Sequence, residues 1–354
     1  MRDRNRLMAA AIVLLALVMT GCADREENQA KQEQQEQQDQ KQQEQEQQKQ
    51  EQQKQAENQP GMEGNITSDI PAEKFIRKAA EQKVDHVHGI GYPGNDDGLY
   101  VASHNGLKMF IKGEWLETAG QNHDYMGFQA TQDGFFASGH PEKGSNLKNP
   151  LGLIKSTDKG RTLEKIAFYG ESDFHFLSAG DHNSSLYLIN EEPNSSMERG
   201  VYLSRDHGGS WEQIDMAGMK AKTLGMIAVH PENGGIFAMA TREGVFITDD
   251  FGKNMKKAGD FEMVTAAAFS KESLLISPVQ DQKIKMFKLD LQQEGAAEEL
   301  PIPQLKEDNP ITYIAADPRQ DGRIAFITIL NDLYESEDGG QTWKRLLVNG
   351  KIEK

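Results

Sequence analysis

The sequence predicts an all-β fold: a single propeller of four-stranded antiparallel blades, six of them, behind a signal peptide and a disordered linker. Three observations carry this expectation. A phrase of the form Ser-x-Asp-x-Gly-x-Thr-Trp occurs at 336–343 and nearly unchanged at 204–211; it recurs without its Trp at 156–163 and in worn form at 248–255. Its aspartates, Asp158, Asp206, Asp250 and Asp338, lie 48, 44 and 88 residues apart, the last gap being two steps of 44. Repetition at that period marks a stacked or radial array whose units cannot bury their apolar faces alone. Between the phrases run short apolar segments bounded by turn residues, at the density of about four strands per unit.

Taken in order, the chain opens with Arg2, Arg4 and Arg6, an apolar run at 7–19, and then Met-Thr-Gly before Cys22, its one cysteine. A basic head, a short apolar core and small residues before the cut predict a secretory signal over 1–21, too short to span a bilayer as a helix. Small residues directly before the cysteine resemble a bacterial lipobox. That resemblance implies a lipidated Cys22 and an extracytoplasmic protein anchored to the bacterial cell membrane. With Cys22 so used, no thiol is left for disulfides, catalysis or metal.

Residues 22–69 are dominated by Gln, Glu and Lys. They have no apolar face to offset chain entropy and predict a solvated, disordered linker. As a flexible coil of roughly 40 residues it would reach about 35 Å. Loss of residues 1–21 removes three basic and one acidic side chain, moving the formal net charge from −16 to −18. Such a chain lacks the electrostatic footprint of a nucleic-acid binder. It is expected to be a monomer.

Residues 70–83 predict a short helix or an edge strand, and residues 84–354 predict the propeller. Blade 1 is read from strands at 86–92, 99–103, 107–111 and 115–118. Blades 2, 3 and 4 are read at about 123–168, 173–216 and 224–259, and blades 5 and 6 at about 262–302 and 311–348. Blade 5 keeps three strands, but its phrase has decayed into a Gln/Glu/Ala-rich run at 291–300. A seventh blade stays open if the segment at Ile70 and a C-terminal strand close one more member of the ring.

The repeated phrase is a hairpin turn by its chemistry. Ser and Asp oxygens accept from nearby backbone N–H groups, and glycine supplies the positive φ of a tight turn. The closing Trp211 and Trp343 begin the next strand, where a large aromatic packs well. The phrase resembles the Asp-box, or BNR, repeat of sialidases, sortilin-type domains and related propellers. In those families the boxes lie on the rim away from the working face, so the resemblance implies a structural role for Asp158, Asp206, Asp250, Asp338, Trp211 and Trp343.

The histidines carry the functional signal. In a propeller, the connections from the outermost strand to the next blade and from the second to the third strand share one face; the other turns, boxes included, share the opposite face. His86 and His88 open blade 1, His123 opens blade 2 and His175 opens blade 3, while His104 and His140 end second strands. Six imidazoles are therefore expected on one face, within three adjacent blades, with His182, His207 and His230 on the other. Asp85, Asp124, Glu171 and Asp173 stand at the mouths of the same strands. Imidazoles with carboxylates suit a borderline divalent ion such as zinc or copper, with His86, His88, His123 and His175 as ligands. They equally suit general acid–base chemistry or hydrogen bonding to a polyol. No compact ligand spacing such as His-Glu-x-x-His is present to choose between these.

Phrases at 86–91 (His-Val-His-Gly-Ile-Gly), 123–128, 138–141, 149–153 and 171–175 resemble bacterial secreted or lipid-anchored Asp-box proteins labelled glycosyl hydrolase or sortilin-like. A sialidase would need an arginine triad to grip a carboxylate. Here only Arg199 and Arg242 can reach the working face, which speaks against that activity. A hydrolase of neutral glycans needs two carboxylates, for which Asp124 with Glu171 or Asp173 is the nominated pair. The leading expectation is a tethered head that binds a glycan, a metal ion or a protein segment on the His/Asp face of blades 1–3, as sortilin-like and photosystem-assembly-like propellers do. The alternative is the neutral-glycan hydrolase.

Overall fold

A computed structural model describes residues 64–80, 83–271, 273–293 and 296–353. The expected signal peptide, Cys22 and most of the expected linker lie outside the described residues.

Six antiparallel sheets follow one another along the chain. Their innermost strands are Val87–Gly91, Asp124–Thr131, Leu177–Ala179, Ile227–Val229, Val264–Ser270 and Ile311–Ala316. Each packs on the next, and the last packs on the first, so the ring closes. The second strands Leu99–Ser103, Leu186–Asn190, Phe237–Thr241 and Ile324–Thr328 are buried along their whole length rather than at alternate positions. A middle strand has a neighbouring blade on each face, so neither side chain parity meets water. The outer strands Glu212–Gln213 and Lys256–Lys257 are exposed and polar. The core accordingly lies between blades: Tyr100 and Met109 of blade 1 share one cluster with Tyr125, Phe135 and Ile154 of blade 2.

Neither segment considered for a seventh blade makes one. The stretch at 70–83 becomes both alternatives in turn, a helix at Ala72–Phe75 and a strand at Ile76–Lys78. That strand pairs with Glu114–Thr118 on the outer edge of blade 1. Upstream of it, Ile66–Thr67 pairs with Thr162–Ala167 on the outer edge of blade 2, so pairing begins within the stretch read as linker. The C-terminal strand Lys351–Ile352 folds back on Lys344–Val348 as the fifth strand of blade 6. Three blades thus carry a fifth, outermost strand supplied from before the first blade or after the last. Val84 donates its N–H to the carbonyl of Gly350 at 2.8 Å, joining the entry to blade 1 with the exit from blade 6.

The boxes show why their residue types recur. In the last one, the Asp338 carboxylate accepts from the Thr342 hydroxyl at 2.6 Å, the Thr342 N–H at 2.8 Å and the Ser336 hydroxyl at 2.8 Å. These bonds hold its pKa at about 2, the Thr342 hydroxyl contributing most. Asp206 and Asp250 repeat the pattern with Ser210 and Asn254. The turn needs two successive left-handed residues: His207 at φ 57° and Gly208 at φ 97° in one box, Phe251 at 62° and Gly252 at 82° in another. Only the second is glycine throughout, because it abuts the neighbouring blade. A Cβ on Gly208 would lie 2.6 Å from Cγ2 of Ile166. Trp211 and Trp343 each donate the indole N–H to the carbonyl of their box glycine at 3.1 Å. In blade 5 the box is gone, yet the outer strand survives at Ala297–Leu300.

Candidate functional site

The site is built at strand mouths by two departures from regular pairing. In blade 1 the register shifts between Val87 and Gly89, so His88 is the extra residue of a β-bulge. Bulges re-aim a side chain at a sheet rim. Here His88 turns toward blade 2, with Nε2 3.6 Å from Oδ1 of Asp124. His86 precedes the strand at φ 46°. His104 sits in the turn after Ser103 and reaches Oδ2 of Asp124 with Nδ1 at 2.9 Å. Its ring stands edge-on to both His86 and His88, with centroids 4.8 and 4.7 Å apart.

One blade further round, the same arrangement recurs with different surroundings. His140, paired in register with Asp124 at the end of its strand, places Nε2 3.2 Å from Oδ2 of Asp173. His175 approaches the same oxygen at 3.6 Å. It lies in the loop before Leu177–Ala179 rather than in the strand. Each aspartate is therefore flanked by two imidazoles, one of them the histidine at or just past the end of the second strand of the preceding blade.

The two clusters differ in how far they are satisfied. Around Asp173, His140 Nδ1 is 2.7 Å from Oδ1 of Asn149, His175 Nδ1 is 3.2 Å from Oε2 of Glu191, and the Ser138 hydroxyl donates to Oδ1 of Asp173 at 3.5 Å. Around Asp124, Nε2 of His88 and Oδ1 of Asp124 are buried and make no hydrogen bond. Burial pushes the His88 pKa down to about 4, with His104, His175 and His86 adding to the effect and Asp124 opposing it. The ring is neutral near pH 7.

His123 does not join them. Its side chain is 1% exposed, and both ring nitrogens are engaged inside the protein. Nδ1 accepts from the backbone N–H of Glu142 at 2.8 Å, leaving Nε2–H to donate to Oε1 of Gln121 at 2.6 Å. A nitrogen that accepts from the chain has no lone pair to offer an ion, so His123 leaves the expected metal set. Its function is to moor the 140–143 loop, helped by the Glu142 carboxylate, which accepts from the N–H and the amide of Asn122 at 3.1 and 3.2 Å. Glu171 also stands apart: its Oε2 accepts from the N–H of Ser195 at 3.3 Å. Of the nominated carboxylates, Asp124 and Asp173 carry the imidazole contacts. His182 pairs with Asp181 and Glu232, and His230 accepts from the N–H groups of Glu232 and Asn233, both in turns on the opposite face.

Gln121 and Glu191 are supporting residues the sequence reading did not single out, and Asn149 entered it only as part of the phrase at 149–153. Asn149 and Glu191 meet their histidines across intervening chain, so spacing does not mark them, and Gln121 lies two residues before His123 with no recognisable pattern. His104, Asp124 and His140 border an open groove of about 700 Å³ continuing over Asn122, Glu142 and Lys143. Among the described residues no Phe, Tyr or Trp lines it. A further cavity of about 370 Å³ is lined by the inner strands of all six blades and includes none of the histidines of the two clusters.

No protein-family model matches the chain, and no curated protein matches it. Solved structures do. The GH74 xyloglucanase from Xanthomonas campestris aligns with a TM-score of 0.50 and 16% identity, over 77% of this chain and 47% of its own. An ancestral GH74 enzyme aligns at 0.48 and 14% identity, over 76% and 40% of the two chains. A YCF48 structure bound to D1 peptide aligns at 0.44 and 14% identity, over 80% and 86%. At such identities the likeness is one of fold, that of β-propellers. The chain spans less than half the length of the two GH74 enzymes.

Proposed function

We propose that this protein is a membrane-tethered, extracytoplasmic propeller that binds its ligand on the His/Asp face of blades 1–3. The observation that carries the reading is the doubled cluster: Asp124 between His88 and His104, and Asp173 between His140 and His175, on adjoining blades. Polar side chains converging at the mouth of a rigid ring form a preorganised recognition surface. Structural packing alone does not require buried, unbonded atoms to face one another, since burying such groups carries a cost. A groove without Phe, Tyr or Trp favours a polar ligand over one recognised by stacking.

A second reading, hydrolysis of a neutral glycan, draws on Asp124 and Asp173 as a carboxylate pair on one face. Turnover of aryl glycosides that is lost in both Asp124→Asn and Asp173→Asn would favour it over simple binding.

The binding reading is tested by thermal shift on the full-length protein in detergent. The panel is divalent metal salts, neutral oligosaccharides and short peptides, and the comparison is an Asp124→Asn/Asp173→Asn variant that retains the wild-type far-ultraviolet spectrum. At least one class should raise the melting temperature of wild type and not of the variant. Identical responses in the two proteins would remove this face from the account.

A further inference from the structure

We infer that His88, His104 and Asp124 form an open, three-residue site for a divalent transition-metal ion of the zinc or copper class. This rests on the binding reading and names the ligand of one of its two clusters. One donor atom from each residue can be chosen so that all three lie within 4.8 Å of one another. Tetrahedral coordination with bonds of about 2.1 Å sets ligand atoms about 3.4 Å apart. The 3.6 Å between Nε2 of His88 and Oδ1 of Asp124 is too long for a hydrogen bond and close to that edge.

Those two atoms supply the independent indication. Both are buried, neither is hydrogen-bonded, and they face each other. With the ring proton on Nδ1, His88 Nε2 and the carboxylate oxygen are two buried lone-pair atoms left unpaired, a cost that a shared cation would recover. The Asp173 cluster has similar residue types and serves as an internal contrast. His140, His175 and Asp173 each have a second partner, in Asn149, Glu191 and Ser138, so that cluster is closed by the protein itself.

Donor chemistry narrows the ion. Two imidazoles and one carboxylate suit zinc, copper or nickel, whereas calcium and magnesium call for more oxygen ligands. Three protein ligands leave a coordination position open, as in catalytic rather than structural zinc sites. His104, with 41% of its side chain exposed, and Asp124 both border the groove, so an external ligand would complete the shell from there.

The test uses full-length protein made without a His tag, stripped with chelator, and titrated with Co²⁺ under calorimetry and visible absorption, then with Zn²⁺ in competition. One equivalent should bind, with the d–d absorption of a low-coordinate nitrogen/oxygen site. His88→Ala and His104→Gln should each weaken binding by at least about tenfold, while His182→Ala and His207→Ala, on the opposite face, leave it within about twofold. All variants are matched by circular dichroism, and His104→Gln, at a partly exposed position, guards against simple misfolding. Absence of saturable binding to folded wild type would overturn the inference, as would binding that follows His140 and His175 instead. If metal binding fails while the Asp124→Asn/Asp173→Asn variant still abolishes a panel response to sugar or peptide, the metal falls and the face remains.

Discussion

Acidification should unlock His123. The folded chain holds this ring neutral because burial pushes its pKa down to about 4, with only Glu142 pulling the other way. In the unfolded chain the same imidazole titrates near its ordinary value of about 6.5. The folded value is the lower, so the unfolded state takes up the proton first. Stability from this residue is complete above about pH 6.5 and is lost as the pH falls toward about 4. The slope tends to about 1.4 kcal/mol per pH unit, or about 3 kcal/mol across the window. His88 is displaced in the same direction, but 21% of its side chain is exposed, so solvent screening reduces its share. Urea unfolding of metal-free protein, measured from about pH 7.5 to about pH 4.5 for wild type and His123→Gln, isolates the term. The variant should start less stable at neutral pH and lose clearly less on acidification. Two curves that run parallel would refute both the buried neutral ring and its role as the mooring of the 140–143 loop.

Other consequences follow from the packing. Phe75, 1% exposed, fixes the N-terminal segment, and Phe75→Ala should cost about 3–5 kcal/mol; an unchanged urea midpoint would mean this segment is not integral to the ring. Gly208→Ala places a Cβ 2.6 Å from Ile166 at φ 97°, whereas Gly339→Ala meets open space at φ 73°. The first should destabilise by about 1–3 kcal/mol and clearly more than the second; equal melting temperatures would contradict the inter-blade contact of the box glycine.

Much of the ring was legible because its determinants are local and repeated. A hairpin that must present Asp and a left-handed pair ending in Gly writes nearly the same letters in four blades, two of them closing on Trp. Blade 5 shows the limit: after Asp290 the letters are lost, and the strand at Ala297–Leu300 is held by pairing with Met286–Asp290 and by burial of Leu300. The terminal strands were less legible, since Ile66–Thr67 is two residues long and owes its conformation to Leu163 and Thr162 across the edge.

The candidate site divides along the same line. Chain order anticipated the meeting of His88, His104, His140 and His175 at adjoining strand mouths, but not the inward turn of His123, and parity within each mouth needed the bulge at His88 and the loop position of His175. The inward turn of His123 had a local cue. It adjoins Asp124 at the mouth of a strand, and adjacent side chains point to opposite sides, so both could not serve one cluster.

The most direct test of the face itself is imidazole nitrogen NMR of full-length, ¹⁵N-histidine-labelled protein during titration with Zn²⁺. The ring signals of His88 and His104 should shift together and saturate at one equivalent, with His123, His182, His207 and His230 unmoved. Shifts led by the histidines of the opposite face, or none among His88, His104, His140 and His175, would contradict a working surface on blades 1–3.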